Sequence, residues 1–278
     1  MQPVPEASTR FLRASGQHAS IEPDRWHPGA YVLSIGGAEQ SHVNLGHPDD
    51  IFYEYLRRIG HLIDLAAPGG EPINALHLGA GALTLARYIQ STRPGSVQHT
   101  VELERELLDY VLKQLPLPPG TDLVPHIGDA RYALAELPND LAFDAIIVDI
   151  FSGPEAPEHL ACREFYQEAA AHLAPGGILV VNVGDEPGLT LVRSQVSALR
   201  RAMAAPAAGS APGDVAAFAE TGMFTGRYPG NIILVGTTFA WPANWTTELI
   251  ARGPHPATVL TGPELDQLHA AGASKQEL

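Results

Sequence analysis

The sequence predicts an α/β fold in which helices cover both faces of a mostly parallel, seven-stranded sheet. From residue 73 onward, short apolar runs alternate with amphipathic segments of helix length. The run FDAIIVDI, residues 143–150, is apolar on both faces, which is typical of a central parallel strand. An alternating segment that precedes this region predicts a separate β-hairpin. Strands that alternate with helices imply right-handed βαβ units and hence a parallel sheet.

Composition narrows the classes of function. The chain has 278 residues, of which 45% are hydrophobic, enough for one large domain or for one domain with a small appendage. A formal net charge of −14 argues against a nucleic-acid partner and favours cationic small molecules, although many acidic proteins are simply soluble. Cys162 is the single cysteine, so no intrachain disulfide is expected. No signal core or membrane-length apolar run occurs, which predicts no membrane partner and a cytoplasmic location.

The first part of the chain divides into three segments. Residues 1–16 are expected to be a disordered lead, and 17–66 a β-hairpin followed by a helix. In the hairpin, Tyr31, Leu33 and Ile35 alternate with smaller or polar residues before a glycine turn. Asp49 or Asp50 is expected to cap the helix, which ends at a Pro-Gly-Gly sequence.

Residues 67–240 are predicted to form the main domain, and 241–278 a tail with one short helix. The strands are INALHLG, SVQHTVE, LVPHIGD, FDAIIVDI and GILVVNVG, and they alternate with helices. After a helix at TLVRSQVSALRRAM, the low-complexity run AAPAAGSAPGD predicts a mobile loop. The closing strands are VAAFAE, GMFTGR and NIILVGTT, with the last two as a hairpin; the tail helix is GPELDQLHAAG.

Residues that follow the strand ends predict the binding site. Ligands bind at the carboxyl ends of strands in open α/β sheets. There the sequence places Gly79 and Gly81, then Glu102, Asp129 and Asp149 after three further strands. Each acid alone has a simpler explanation. Glu102 could be a solvated charge, Asp129 could cap a helix, and Asp149 could be a cap or a loop anchor. Together, and without a phosphate-binding loop, they favour a nucleoside without phosphates, such as S-adenosylmethionine.

At this point the chain resembles the class I S-adenosylmethionine-dependent methyltransferase fold, a Rossmann-like architecture. It also resembles the spermidine synthase family of aminopropyltransferases within that fold. The residues that carry the narrower resemblance are GAYVLSIGGAEQSHVNL, DDIFYEYLRRIGHL, LHLGAGALTLAR, VELERELLDYV, GDAR, VDIFSGPEAPEHLACREFY and LAPGGILVVNV. They extend over roughly residues 28 to 236, and the hairpin with its following helix makes the match more specific than the fold alone.

The resemblance implies roles for individual residues. Gln40 and Glu102 match residues that hold the methylthioribose end of the nucleoside and its ribose hydroxyls. Asp129 with Ala130 matches the adenine-binding pair, and Tyr53 the tyrosine of a gate segment over the active site. It further implies S-adenosylmethionine or decarboxylated S-adenosylmethionine as co-substrate, no metal, a cationic amine as acceptor, and a homodimer formed through the hairpin region.

Two departures from the family pattern bear on the reaction. Ala82 stands where the family has an aspartate that binds the donor amine, and Ser152 where it has the aspartate that deprotonates the acceptor. Asp149 is retained, so the candidate catalytic residues are Asp149, Ser152 and Tyr53. A serine is a poor proton acceptor for an ammonium group. Aminopropyl transfer is therefore disfavoured, and intact S-adenosylmethionine with methyl transfer becomes the hypothesis.

Two other functions stay open. A non-enzymatic protein could keep the fold as a nucleoside-binding or regulatory module. A nicotinamide-dependent dehydrogenase is disfavoured, because the third glycine of the dinucleotide fingerprint is missing after Ala82. The histidines show no metal-binding spacing, since His42 and His47 are five residues apart and no H-x-x-E-H occurs.

Overall fold

The computed structural model describes residues 7–150, 157–204 and 212–273, whose strands form two sheets. The larger sheet has the order β12-β10-β11-β9-β8-β5-β6-β7. Its strands are β5 (Asn74–Leu78), β6 (Val97–Glu102), β7 (Asp122–Ile127), β8 (Phe143–Val148), β9 (Leu173–Asp185), β10 (Val215–Glu220), β11 (Gly230–Thr237) and β12 (Ala257–Thr261). The five strands from β9 to β7 are parallel, and β11 inserts antiparallel beside β9. The sheet is therefore mostly parallel, as the alternation of strands and helices predicts.

Helices cover both faces of the larger sheet and form two apolar cores. The helices are α1 (Glu54–Ala66), α2 (Thr84–Thr92), α3 (Arg105–Gln114), α4 (Ala130–Glu136), α5 (Arg163–Ala171), α6 (Thr190–Met203), α7 (Thr221–Phe224), α8 (Ala243–Arg252) and α9 (Gly262–Ala273). Ile146 of β8 belongs to the core that also includes residues of α4, α5, α6 and α9, whereas Ile147 belongs to the core that includes residues of α1, α2 and α8. Burial of both faces explains why the strand is apolar throughout. None of the described helices is long and apolar enough to cross a bilayer.

The N-terminal sheet is larger than the predicted hairpin. It is an antiparallel meander of β1 (Ser8–Leu12), β2 (Gln17–Pro23), β3 (Ala30–Ile35) and β4 (Ala38–Asn44). The expectation of a disordered lead is therefore wrong for residues 8–16. Leu12 is fully buried, and the hydroxyl of Tyr110 on α3 donates to the carbonyl of Ser8 at 2.7 Å. This strand was missed because its partner β2 and its support on α3 come later in the chain.

The C-terminal region departs from its predicted order. The segment GMFTGR contains the short helix α7 in place of a strand, and Glu220 caps it by accepting from the Gly222 N–H at 2.9 Å. The predicted hairpin between GMFTGR and β11 is therefore wrong, and β11 lies antiparallel between β9 and β10. Helix α8 and strand β12 were not predicted, and β12 raises the sheet from seven strands to eight. The tail helix is confirmed as α9, whereas most of AAPAAGSAPGD lies outside the described residues.

Helix α1 begins at a different cap from the predicted one and ends, as predicted, just before the Pro-Gly-Gly sequence. Its N-cap residue is Tyr53, which provides no side-chain cap, so neither Asp49 nor Asp50 caps it. The last carbonyls of a helix have no partner within the helix. Here the buried guanidinium of Arg93 donates to five carbonyls in and after the last turn, including those of Ile63 at 3.2 Å and Ala67 at 2.9 Å. One side chain therefore closes the end of α1.

We predict that Arg93→Leu lowers the free energy of unfolding by about 3 kcal/mol or more, because several buried carbonyls lose their donor at once. Urea denaturation followed by circular dichroism measures the change. Arg252→Leu is the matched control: Arg252 is about one-third exposed and makes only long ion pairs with Asp64 and Glu248. Its loss should cost less than about 1 kcal/mol. Equal effects of the two substitutions would contradict the capping role.

Candidate functional site

A cleft of about 1030 Å³ lies at the carboxyl edge of the larger sheet, under the N-terminal sheet and the start of α1. The structure brings to it all the described residues that the sequence nominated: Gln40, Tyr53, Gly79, Gly81, Glu102, Asp129, Ala130 and Asp149. Ser152 lies outside the described residues. The roles assigned to these residues stay predictions, but their convergence on one cavity is a property of the fold.

The glycine turn after β5 is held against backbone on one side and against the N-terminal sheet on the other. Gly79 has φ +98°, and a Cβ there would lie 2.4 Å from the carbonyl oxygen of Asp149. Gly81 has φ +49°, and its Cβ would lie 2.7 Å from Oγ of Ser41. The same Oγ accepts from the Ala82 N–H at 3.0 Å. Both glycines are therefore required by conformation and by space.

Glu102, at the end of β6, is buried and faces the cleft. Its two carboxylate oxygens accept from the N–H groups of Ala80 at 3.1 Å and Glu104 at 2.9 Å. Burial raises the pKa of Glu102, and the backbone hydrogen bonds oppose that rise. The alternative of a solvated charge is thus wrong. Each oxygen keeps a second lone pair, so the carboxylate can still accept two hydroxyl groups.

Asp129 caps helix α4, which was the simpler explanation that the sequence offered for it. It also lines the cleft. Oδ1 accepts from the Arg131 N–H at 2.9 Å, and Oδ2 lies 2.8 Å from Nε2 of His159. Burial would raise the pKa of Asp129, but these hydrogen bonds outweigh it and hold the pKa below its usual value. His159 was missed by the sequence reasoning, because it reaches the site from a different loop. The next residue, Ala130, is buried against the cleft with its backbone at the start of α4.

Asp149 follows β8 directly and lines the cleft, where it is partly buried. Oδ1 accepts from Nδ2 of Asn182 at 2.7 Å, and Oδ2 from the hydroxyl of Tyr55 at 3.4 Å. Asn182 in turn accepts from Asn231 at 3.0 Å. Burial raises the pKa of Asp149, and these two hydrogen bonds oppose that rise.

Tyr53 lies at the mouth of the cleft. Its hydroxyl donates to Oε2 of Glu39 at 3.2 Å, and its ring stacks on Tyr55 with centroids 6.2 Å apart. Burial, followed by the charge of Glu39, raises the pKa of Tyr53 to about 12. Tyr53 is therefore neutral at physiological pH and acts as a hydrogen-bond donor. Gln40, beside Glu39 on β4, is partly buried and lines the same wall.

Ala82 does not line the cleft. Its side chain is 1% exposed and packs in the apolar cluster that joins the glycine turn to the N-terminal sheet. Leu83 follows with φ +59°, a left-handed conformation that is uncommon for leucine, and it is also buried in this cluster. Apolar packing against the N-terminal sheet thus occupies the two positions after Gly81.

Arg58 is a cleft residue that the sequence reasoning missed. It is 1% exposed, donates to Glu54 at 3.3 Å and to the carbonyl of Pro254 at 3.1 Å, and lies over the ring of Phe218. Burial lowers the pKa of Arg58, and the charge of Glu54 opposes that fall. The i,i+4 spacing from Glu54 was the available signal. Arg58 and Asn231 both line the cleft.

Comparison with known proteins first identifies the class of fold. No family model matches the chain. A crystal structure of human methyltransferase-like protein 13 in complex with SAH aligns with a TM-score of 0.51, 19% identity, and coverage of 82% of this chain and 94% of that one. A crystal structure of a spermidine synthase in complex with the transition state analogue AdoDATO aligns with a TM-score of 0.58 and 16% identity. The alignment covers 98% of this chain and 87% of that one. The chain therefore has the S-adenosylmethionine-dependent methyltransferase fold, and the predicted fold class is confirmed.

The narrower similarity is to spermidine synthases. The crystal structure of a probable spermidine synthase from Corynebacterium glutamicum gives a TM-score of 0.79, with 28% identity over 96% of this chain and 95% of that one. In sequence, the polyamine aminopropyltransferase of Vibrio vulnificus is 30% identical over 135 residues, 48% of this chain and 44% of the relative. The polyamine aminopropyltransferase of Chromobacterium violaceum is 26% identical over 143 residues, which are 51% of this chain and 53% of the relative.

The aligned segments thus span about half the length of these curated relatives. Together the similarities relate the chain to the spermidine synthase and polyamine aminopropyltransferase family.

We predict that Asp149 makes stability fall as pH rises. Its pKa in the folded state is raised above the ordinary 3.8, so the folded protein binds more protons than the unfolded chain between the two pKa values. The stabilising contribution is complete below about pH 4 and is lost as pH rises through the folded pKa. It amounts to about 1.4 kcal/mol for each pH unit that separates the two pKa values. Thermal unfolding of the wild type and Asp149→Asn across this range should show a steeper decline for the wild type. Parallel curves would contradict the prediction.

Proposed function

We propose that this chain binds an S-adenosylmethionine-type nucleoside in the cleft and transfers a group from its sulfonium to a small acceptor. One observation carries the proposal: Glu102 and Asp149 flank the glycine turn, both with carboxylate oxygens directed to the same cavity. The similarity to polyamine aminopropyltransferases supports it. The geometry is suited to a neutral sugar on one side of the turn and a cationic centre on the other.

We assign the nucleoside to the end of the cleft formed by β5, β6 and β7. Glu102 would accept hydrogen bonds from the ribose hydroxyls, for which it has free lone pairs. Asp129 has both oxygens engaged, but Oδ2 can accept one further donor, and we assign it with the Ala130 backbone to the adenine. Gln40 on the opposite wall is assigned to the methylthio end. In this arrangement the sulfonium lies near Asp149.

The chemistry needs a group that manages the proton of the acceptor. The acceptor nitrogen forms a bond to the carbon beside the sulfonium, the carbon–sulfur bond breaks, and a neutral thioether leaves. The nitrogen loses a proton, and Asp149 is the buried carboxylate in position to accept it. Its raised pKa makes it a better base than an exposed aspartate. Tyr53, held by Glu39, is assigned to order the mouth of the cleft, and a role for Ser152 stays a prediction.

We infer that this chain departs from the family at the positions of Ala82 and Ser152, and that its donor is intact S-adenosylmethionine. Ala82 has no charge that could bind a donor amine, and its methyl group packs in an apolar cluster. Methyl transfer asks less of a base when the acceptor is already nucleophilic. Aminopropyl transfer is the second candidate, favoured by Asp149 and Glu39 in the cleft and by the similarity to aminopropyltransferases.

The acceptor that fits best is a small amine. Glu39, Glu54 and Asp149 line the cleft, and Arg58 is paired with Glu54, so the acceptor end does not present a free cation. A net charge of −14 attracts cationic molecules over distance. The homodimer implied by the resemblance, the absence of a nucleic-acid or metal partner from the site and the cytoplasmic location stay predictions.

We predict that S-adenosylmethionine raises the melting temperature more than decarboxylated S-adenosylmethionine, methylthioadenosine or NAD at matched concentration. A ligand at 100 times its Kd adds about 2.7 kcal/mol to the stability of the folded state. Glu102→Gln should abolish the shift, measured against its own baseline, because an amide cannot accept from both hydroxyls and keep its backbone contacts.

The matched control is Asp122→Asn, an exposed acid at the amino end of β7, which should keep the full shift. Mass spectrometry with a panel of amines then identifies the product, S-adenosylhomocysteine for methyl transfer or methylthioadenosine for aminopropyl transfer. A larger shift with decarboxylated S-adenosylmethionine would overturn the choice of donor. Binding without turnover would favour the non-enzymatic alternative, and no shift with any nucleoside would overturn the proposal itself.

A further inference from the structure

Asp24, His27 and His42 form a compact cluster in the N-terminal sheet, outside the residues that line the cleft. Asp24 and His27 belong to the connection between β2 and β3, and His42 to β4. Oδ2 of Asp24 lies 2.9 Å from Nε2 of His42 and 3.1 Å from Nδ1 of His27. The three ligand-type atoms all lie within 4.8 Å of one another. We propose that this cluster is a binding site for one divalent transition-metal ion of the zinc type.

The spacing of the three atoms suits such an ion. Zinc binds imidazole nitrogen and carboxylate oxygen at about 2.0–2.2 Å, so tetrahedral ligands lie about 3.4 Å apart. The observed separations from Asp24 Oδ2 are a few tenths of an ångström shorter. Small side-chain rotations would therefore admit the ion. Two imidazoles and one carboxylate with an open fourth position form a recurrent ligand set for zinc and related ions.

The carboxylate is already oriented for this role. Oδ1 of Asp24 accepts from the N–H groups of Trp26 at 2.6 Å and of His27 at 3.1 Å, which leaves Oδ2 to the two imidazoles. The backbone hydrogen bond from Trp26 holds the pKa of Asp24 well below its usual range. Burial opposes this fall, and the hydrogen bonds from His42 and His27 add to it. Asp24 is therefore ionised at neutral pH, as a metal ligand must be.

The imidazoles are also fixed in place. The ring of His42 stacks on Phe52 with centroids 4.3 Å apart, and His27 meets Phe52 edge-on at 5.2 Å. The side chain of His42 is 5% exposed, that of Asp24 10% and that of His27 49%. Phe52 thus walls one side of the cluster, while the exposed His27 leaves a route for the ion and a position for water as fourth ligand.

An ion in this site would tie two segments together. It would join the β2–β3 connection to β4 beside Phe52, the residue that precedes Tyr53. His42 follows Ser41, whose hydroxyl holds the Ala82 N–H of the glycine turn. We therefore assign the ion a structural role, in which it orders the wall that the N-terminal sheet presents to the cleft. The assignment does not depend on which nucleoside the cleft binds.

Zinc titration of the chelator-treated full chain tests the proposal, with a chromophoric chelator as competitor. We expect one Zn²⁺ per chain and a rise in melting temperature. His27→Gln should weaken binding at least about tenfold, since the amide can still donate to Asp24 but is a poor metal ligand. His47→Gln is the matched control, because His47 is exposed nearby and lies outside the cluster; it should bind as the wild type does.

Two further measurements keep the test decisive. Circular dichroism of His27→Gln should match the wild type, and Asp24→Asn, which keeps an oxygen for the Trp26 N–H, should lose binding as well. Co²⁺ in place of Zn²⁺ should give a visible absorption spectrum that disappears in both variants. Equal Zn²⁺ affinity in the wild type, His27→Gln and Asp24→Asn, or no stoichiometric binding by the wild type, would overturn the site and leave a hydrogen-bonded cluster only.

Discussion

The close approach of two backbone segments at the end of β5 determines the rest of the site. A Cβ at position 79 would lie only 2.4 Å from the carbonyl oxygen of Asp149, so only glycine lets the turn pass beside β8. That passage places the Ala80 N–H against Glu102 on one side. On the other side, Asp149 lines the cavity. The N-terminal sheet completes the constraint, since Ser41 holds the same turn from above.

The buried charges follow from this geometry. Glu102 is buried and Asp149 is partly buried, and burial raises the pKa of each carboxyl group. A carboxylate in such surroundings binds a cation or a hydroxyl more strongly than one in water. Arg58 is likewise buried, but its charge is directed to Glu54 and to a backbone carbonyl. The cleft therefore combines the carboxyl groups of Glu102 and Asp149 with an arginine whose charge is already paired. This arrangement suits a sulfonium donor and an amine substrate.

The sequence predicts what depends on local pattern and on strand ends. The alternation after residue 73 gave the parallel sheet, and the rule that ligands bind at carboxyl ends led to Glu102 and Asp149. Features that depend on distant partners were missed. Strand β12 pairs with β10 although α7, β11 and α8 lie between them in sequence. His27 meets His42 only because β2, β3 and β4 fold into a meander. The orientation of Ala82, away from the cleft, likewise follows from packing against strands far from it in the chain.

The most direct test of nucleoside binding in the cleft is a crystal structure of the protein with methylthioadenosine, which carries the ribose and adenine but no reacting group. We expect both ribose hydroxyls to lie within hydrogen-bond distance of the Glu102 carboxylate. We also expect the adenine to lie beside Asp129 and the backbone of Ala130, with the thioether directed to Asp149. A nucleoside bound elsewhere, or bound in the cleft without contact to Glu102, would contradict the central claim.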